Sequence, residues 1–508
     1  MSGREASTTI IPGKYALSVG DPAIRLPVGW SWALLTDIAA LGTGHTPSRK
    51  HPEYWGDDVP WLGIRDAGAH HGRIINATTQ NITYLGLANS SARLLPKGTV
   101  CLSRTASVGY VVKMGRDMAT SQDFVTWSCG EALDPDYLMQ ALIAEGEDIR
   151  RFGEGSTHTT IYFPEVKAFH LALPPLPEQR RIVAKIDSLT GKSKRAREHL
   201  DHIPRLVEKY KQAVLAAAFR GDLTHQWRVK QPDIETAEML ISRTKQPAKS
   251  RGGRDATTNV RPGIAGLSIN NPGTPVPAGW AWTPLGRIAK QETGHTPSRA
   301  RPEYWDGGVP WIGIRDAGKH HGTVIRDTIQ TISDAGLDNS SARLLPAGTV
   351  CLSRTASVGY VTIMGSPMAT SQDFATWTCS DALVPRFLMY ALMAEGDNIR
   401  KFGEGSTHTT IYFPEIRAMH ICLAPLAEQG EIVRRIESAF ARVDSLAAEA
   451  TSTRKLIDKL DQAILAKAFL GELVPQDPTD EPASVLLERI HAERIAALKA
   501  KRGRKAVR

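Results

Sequence analysis

Adding 250 to a residue number in the first half of this 508-residue chain lands, again and again, on the same residue in the second half. Trp30 and Trp32 meet Trp280 and Trp282, His45 meets His295, and Cys101 meets Cys351. Glu178 and Gln179 meet Glu428 and Gln429, and Phe219 meets Phe469. The register holds without a gap over residues 29–223, and ten of the eleven tryptophans fall into five matched pairs, leaving only Trp227 alone. Solenoid repeats run to roughly 20 to 50 residues. A period of 250 is a duplicated domain, so the chain must build one fold twice.

Each copy changes character part-way. Over residues 29–172 the text is punctuated by Gly and Pro between short β-branched or aromatic runs such as TVCLSRT, VGYVV and FVTWSC, which predicts irregular β structure with many loops. One helix is expected over residues 137–152, closed by Gly153. This part is therefore α+β. After Pro174, Pro175 and Pro177 the period changes, with apolar or small residues recurring in alternating steps of four and three: Ile182, Ile186, Leu189, Ser193, Ala196, Leu200, Ile203, Val207, Tyr210, Val214 and Ala217. That is a heptad seam. The second copy repeats it from Ile432 through Ile436, Ala439, Val443, Leu446, Ala450, Thr453, Ile457, Leu460 and Ile464, then departs at Lys467. Each helix would run for about 40 residues, roughly 60 Å. Pairing the two antiparallel buries both stripes and sets the globular parts at opposite ends, related by a pseudo-twofold; packing each helix on its own domain is the alternative. Pro204 should bend or break the first helix.

Residues 244–279, rich in Pro, Gly, Ser, Thr and Asn, read as an exposed linker. The C-terminal stretch begins as an amphipathic helix and ends as a basic tail. Hydrophobic residues at 42% and charged residues at 23% are ordinary globular usage. A net charge of +9 favours a polyanionic partner, nucleic acid or an acidic membrane surface. The five cysteines show no metal-ligand spacing and read as buried thiols in a reducing compartment. No uncharged apolar run reaches the length of a membrane span, so a cytoplasmic protein with no membrane association is expected.

Catalytic signatures are missing. There is no phosphate loop, because Ile186 stands where the first Gly of a GxxxxGKS motif should precede Lys192 and Ser193. No GxGxxG, HExxH or GxSxG occurs. The pairs His70-His71 and His320-His321 lack further ligands at fixed spacing, and no metal is expected there. What the matched loops do carry is Gly together with Arg, Ser, Thr, His, Gln and Asp, the residue types that contact phosphates and base edges. The candidates are Thr46, Ser48 and Arg49; Arg65, His70 and His71; Ser103, Arg104 and Ser107; Gln122 within Ser121-Gln122-Asp123; and Thr157 and His158 within the stretch from Ser156 to Thr159. Their twins are Thr296, Ser298, Arg299, Arg315, His320, His321, Ser353, Arg354, Ser357, Gln372, Thr407 and His408. Taken singly, each also fits a turn former, an ion-pair member or a capping group. Taken as loops, they point to DNA.

The succession GHTPSR, EYW, VPW, LLPKGTVCLSRTASVG, ATSQDF, GSTHTTIYFPEVKAFHLALPPLPEQRRIVAKID and a long helix resembles the specificity (S) subunit of type I restriction-modification enzymes, twice over. The stretch PLPEQRRIVAKID carries most of the likeness. The second copy departs from it at Ala427 and Gly430. The resemblance implies two target-recognition domains separated by two antiparallel spacer helices, each domain reading half of a bipartite site. On this reading the organisation is a 1–28 extension, a first recognition domain over 29–173, a spacer helix over 174–221, a connecting segment and linker over 222–278, a second recognition domain over 279–423, a second spacer helix over 424–471, and a C-terminal helix and tail over 472–508. It also implies partners: double-stranded DNA, two modification subunits that carry S-adenosylmethionine and methylate adenine, and restriction subunits driven by ATP with Mg. This chain would hold no cofactor and supply only address and scaffold.

Two domains with nearly the same polar loops, related by an approximate twofold, should read nearly the same half-site in opposite orientation. A gapped, near-palindromic target is expected, with divergence at Lys50/Ala300, His51/Arg301 and Asp57-Asp58/Gly307-Gly308. Two other functions stay in view. A metal-dependent nuclease would use Asp66, His70, His71, Asp123 and their twins; a coiled-coil scaffold would bind DNA without sequence preference.

Overall fold

The computed structural model describes residues 5–105, 107–153, 159–248, 255–355, 357–403 and 409–505. They form two compact units, one of residues 1–200 with 452–508 and the other of residues 201–451. Each unit therefore combines one globular domain, the start of its own long helix and the end of the other.

In the first domain the strands are β1 (Ile11–Pro12), β2 (Leu17–Val19), β3 (Ser31–Leu34), β4 (Ala39–Thr43), β5 (Trp55–Leu62), β6 (Ile74–Ile75), β7 (Gln80–Ile82), β8 (Val100–Ser103), β9 (Val111–Met114), β10 (Ala119–Thr120), β11 (Phe124–Cys129) and β12 (Phe169–Leu173). They make a four-stranded sheet in the order β1-β2-β12-β3, a five-stranded sheet β4-β11-β8-β9-β6 and a three-stranded sheet β10-β5-β7. The period of two along each strand divides the interior. Val100, Leu102, Val125 and Trp127 face the main core, while their neighbours Cys101 and Phe124 face a second cluster with Leu62, Met114 and Met118. The second domain repeats this division, with Val350, Leu352, Ala375 and Trp377 on one side and Cys351 and Phe374 on the other.

Residues 11–19 are not a mere extension. Strand β2 is fully buried and pairs with β12 through Leu17↔Leu171 and Val19↔Phe169. Glu145 fixes this hairpin, its buried carboxylate accepting the N–H groups of Tyr15 (3.1 Å), Ala16 (2.8 Å) and Leu17 (3.1 Å). The counterpart of β2, Leu267–Ile269, lies inside the stretch read as linker, equally buried, and Glu395 accepts from Ile264, Ala265 and Leu267. Three-residue strands flanked by Pro and Gly carry too little periodicity to stand out from a linker. The matched pairing of β2 and its counterpart extends the repeat N-terminally beyond residue 29.

The expected helix over 137–152 is shorter and starts earlier. It spans Pro135–Glu145, N-capped by Asp134, whose side chain accepts from Asp136 N–H at 2.8 Å. Gly146 takes a positive φ of 54°, which ends the α-helix, and a 3-10 segment Gly146–Phe152 follows.

The first long helix is interrupted at His202, between Leu176–Asp201 and Ile203–Phe219, with Pro204 in the first turn of the second piece. The second runs unbroken over Leu426–Phe469. In the first unit, Ile182 and Ile186 share a core with Ile464, Leu465, Ala468 and Phe469, and further along Arg197 pairs with Asp458 (2.9 Å) and Asp461 (2.7 Å). In the second, Leu215, Ala218 and Phe219 share a core with Ile432, Val433 and Ile436, while Lys211 pairs with Asp444 at 2.7 Å. The pairing inside each unit is antiparallel. Each helix end also enters its unit's globular core, with Phe469 against Tyr137 and Phe219 against Phe387 at 5.4 and 5.1 Å between ring centroids.

After each helix, a matching segment returns to the domain. Ala237 N–H donates to the Gly279 carbonyl (2.8 Å) and Ala483 N–H to that of Gly29 (2.9 Å). Arg243 pairs with Glu235 as Arg489 does with Glu481. The repeat thus resumes at an offset of 246, after four extra residues in the first copy that lie around the short helix His225–Val229.

Candidate nucleic-acid interface

Two loops are brought together at the end of the three-stranded sheet. The chain leaving β4 passes so close to β10 that a Cβ on Gly44 would sit 1.9 Å from the Thr120 carbonyl oxygen; only glycine fits. His45 N–H then donates to that oxygen at 2.8 Å, and the Trp61 indole N–H donates to the His45 carbonyl at 3.1 Å. With the 45–51 loop so anchored, the Thr46 hydroxyl donates to Gln122 Oε1 at 2.6 Å. Asp123 shapes the facing turn, accepting from Thr105 Oγ1 (2.6 Å) and Ser121 Oγ (3.0 Å).

Arg49 is exposed, its guanidinium 4.6 Å from the Trp55 ring centroid and its Nη2 donating to Gln80 Oε1 at 3.1 Å. Ser48 stands exposed at the loop turn, where its Oγ accepts from Lys50 N–H at 3.3 Å. Arg104 is more enclosed. It donates to the Gln122 carbonyl (3.1 Å) and lies over the Phe163 ring (4.8 Å), and burial lowers its pKa while Asp123 opposes that shift.

The second domain repeats this face closely. Gly294 meets Thr370 at the same 1.9 Å, Thr296 donates to Gln372 at 2.6 Å, and Arg299 lies 4.6 Å over Trp305 with Gln330 at 3.2 Å. Ser298 is exposed, its carbonyl accepting from the Trp305 indole, and Arg354 repeats Arg104 over Phe413.

The remaining candidates separate from this group. Arg65 and Arg315 are exposed on the short helices Ile64–Ala69 and Ile314–Lys319. Asp66 organises the first of these, accepting from Gly63 and Thr79 N–H, and His70 Nδ1 lies 3.0 Å from the Asp66 carbonyl, so His70 closes the helix end. His320 N–H donates to the Asp316 carbonyl in the same position. His71 and His321 accept Val111 and Val361 N–H on Nδ1 at 3.0 Å. Burial of the ring lowers both pKa values, which favours neutral imidazoles with the proton on Nε2. They line cavities of about 570 Å³ (His71, Ser107, Tyr110, Arg150) and about 810 Å³ (His321, Ser357, Tyr360, Arg400), away from the Arg49 group. Ser103 and Ser353 are fully buried and bind their own loops, accepting from Tyr110 and Tyr360 N–H at 2.8 Å, so they scaffold the loops and do not face a ligand. Thr157, His158, Thr407 and His408 lie outside the described residues.

Gln80 and Gln330 were not among the sequence candidates, and the signal for them was present. Between 76–85 and 326–335 only Thr78, Gln80 and Ile82 keep their twins, alternate residues leading into and along β7. Ile82 is buried, Thr78 binds Trp61 N–H, and Gln80 is exposed beside Arg49. Among the described residues no group of three or more His, Cys, Asp or Glu could hold a metal ion, and Asp66 and Asp123 spend their oxygens on internal donors. The arrangement offers hydrogen-bond donors, acceptors and a positive charge on a rigid aromatic base.

A family described as the type I restriction modification DNA specificity domain matches residues 27–203 and again residues 277–451. The chain belongs to this specificity family. The specificity subunit of the type I restriction enzyme EcoKI from Escherichia coli (strain K12) is 23% identical over 511 residues, spanning 95% of this chain and 99% of that protein. The MjaIX specificity subunit from Methanocaldococcus jannaschii is 30% identical over 189 residues, 35% of this chain and 43% of its own length. The HsdS subunit crystal structure from Thermoanaerobacter tengcongensis shares the fold at a TM-score of 0.55 and 20% identity, covering 89% of this chain and 99% of that one. A chain from a structural study of type I R-M complex assembly and conformational transition gives 0.64 at 20% identity, covering 88% and 100%. As a specificity subunit the chain is a non-catalytic DNA-recognition component. No helix among the described residues is long and apolar enough to cross a membrane.

Proposed function

We propose that each globular domain reads one half of a bipartite, gapped DNA site and that the two halves are near-identical and inverted. The observation that carries this is the coincidence of the two exposed faces: Thr46/Gln122 and Arg49/Trp55/Gln80 recur as Thr296/Gln372 and Arg299/Trp305/Gln330 with contacts within 0.1 Å. Equal chemistry at equal geometry selects equal bases. The antiparallel run of the helices inside each unit supports inversion of the second half. Ser48 and Ser298 flank the reading face as phosphate or base-edge contacts, and Arg65, His70, His71, Arg104, Ser107 and their twins, set apart from the Arg49 group, supply further DNA contacts of each domain.

The long helices dock the modification subunits. Leu206 and Tyr210 are 59% and 49% exposed, and their twins Leu456 and Leu460 are 63% and 54% exposed. A spacing of four places each pair on one helix face. Such apolar pairs in water are a ready surface for a partner's helix. The restriction subunits, S-adenosylmethionine, ATP and Mg belong to the rest of the assembly, which acts on DNA in the cytoplasm.

The test is selective binding from a pool of random duplexes at a stated salt concentration, using the full chain with its modification subunits. A gapped site with matching inverted halves is expected. Two unrelated halves would remove the palindrome, and no enrichment would remove sequence recognition.

A further inference from the structure

We infer that Arg49 and Arg299 each read a guanine, one in each half-site, and that Gln80 and Gln330 are the residues that position them. This rests on the DNA-recognition reading above and adds the base identity and the responsible atoms.

Arginines of this domain differ in what holds them. Arg150 pairs with Glu147 at 2.9 Å, and Arg104 is drawn inward to the carbonyls of Gln122 and Ile161. Arg49 is held by two neutral groups, the Trp55 ring and the Gln80 amide, and no acidic side chain pairs with it among the described residues. Its charge is uncompensated and its orientation is fixed. Arg299 has the same two neutral partners.

The support beneath each arginine is stiff. Trp55 meets Trp61 edge-on, with centroids 5.2 Å apart, and Trp305 meets Trp311 likewise at 5.3 Å. Gln80 is in register with Trp61 across the β5-β7 ladder, and Thr78 Oγ1 both donates to the Gln80 carbonyl (2.9 Å) and accepts Trp61 N–H (3.1 Å). The glutamine therefore holds a set position, and one Nη of the arginine is tethered to it.

A guanidinium stacked on an indole and tethered through one nitrogen presents its free N–H groups as a planar fork. Guanine alone offers two adjacent acceptors, O6 and N7, on its major-groove edge, whereas adenine sets a donor beside its acceptor. A phosphate also accepts the fork bidentately, but its tetrahedral oxygens can be approached from many directions, whereas a base edge accepts the fork only in its own plane. Orienting the fork before binding reduces the entropy lost on contact, which favours the directional base edge.

Binding by the full chain with its modification subunits, from random duplexes and then to single-substitution duplexes, tests this. The wild-type motif should hold a guanine in each half. Arg49→Ala should reduce discrimination at one of these positions by about tenfold or more and leave the other positions unchanged, which also reports an intact fold. Arg299→Ala should do the same at the mirror position. Arg49→Lys keeps the charge but not the stacked planar fork, so it should weaken the guanine preference while retaining the salt dependence. Gln80→Ala should weaken the same position as Arg49→Ala. Even weakening across all sequences by Arg49→Ala, with a salt slope smaller by about one, would assign a phosphate contact and overturn the proposal. So would an unchanged guanine preference in both alanine variants. Failure of the wild type to enrich any gapped site would instead strike the recognition reading from which the proposal starts.

Discussion

The Gln179 amide is fully occupied by backbone. Its Oε1 accepts from Asp134 N–H at 2.8 Å, and its Nε2 donates to the carbonyls of Ala132 (2.9 Å) and Pro174 (3.0 Å). Beside it, buried Glu178 accepts from the Trp30 indole at 3.1 Å. The Pro-Leu-Pro-Glu-Gln stretch was the most specific text in the sequence, and these bonds are its physical content: two polar side chains that staple the helix start to the domain. Gln179→Ala leaves three buried or part-buried backbone groups without partners, and at the low end of about 1 kcal/mol each a loss of about 3 kcal/mol is expected. Urea unfolding measures it; a change below about 0.5 kcal/mol, the scale of surface substitutions, would rule the staple out. Gly44→Ala places a methyl against the Thr120 carbonyl and should cost about 1–3 kcal/mol through overpacking. Because the same contact seats the 45–51 loop, DNA affinity should fall with it. Unchanged affinity in a folded Gly44→Ala chain would take that loop out of the interface.

Among elements, the long helices show where periodicity succeeds and where it drifts. Ile182, Ile186, Ser193, Val207, Ile432 and Ile436 are buried as a heptad seam requires. Toward the C-terminus of the first helix the buried positions move to Leu215, Ala218 and Phe219, and in the second Leu465 and Ala468 join Ile464. An α-helix drifts by about 20° per heptad, and here the helix end is gripped by a domain core instead of by one partner helix. Tyr210, Leu446 and Leu460, expected in the seam, are exposed. The copies also differ where the helices begin. Arg181 pairs with Asp480 at 2.6 Å, whereas its twin Glu431 is hydrogen-bonded by Arg434 and Arg435, which hold its pKa down to about 2. A carboxylate with a depressed folded pKa contributes stability that is present above the unfolded value of 4.5 and is lost as pH falls through about 2. Glu431→Gln should therefore be less stable than wild type at pH 7, with the gap closing between pH 4.5 and 2. A gap that stays constant with pH would show that the ion pairs contribute nothing.

For the whole molecule, the duplication makes a direct prediction. If both domains read the same half-site, a chain with segment 255–423 replaced by a second copy of segment 5–173 should enrich the same gapped motif as wild type. A different motif would show that Lys50/Ala300, His51/Arg301 and Asp57-Asp58/Gly307-Gly308 set base preference and do not merely trim the rim. The polar variants Leu206→Lys and Leu456→Lys should weaken capture of the modification subunits without changing unfolding midpoints, because both side chains are mostly exposed. Equal capture by the variants would move the docking surface elsewhere.

The sequence by itself determined the duplication, the change from loop-rich β text to heptad text, the break near Pro204 and the family, because each is written in spacing along the chain. It also named Thr46, Arg49 and Gln122, since polar residues repeated in glycine-bearing loops are visible without coordinates. Only the tertiary structure decided that Ser103 faces inward, that Gln80 joins Arg49 from 31 residues away, and that residues 11–19 and 261–269 are sheet and not tether. Which face of a short strand is buried, and which distant side chain completes a contact, depends on pairing between segments far apart in the chain, and local pattern carries no record of that pairing.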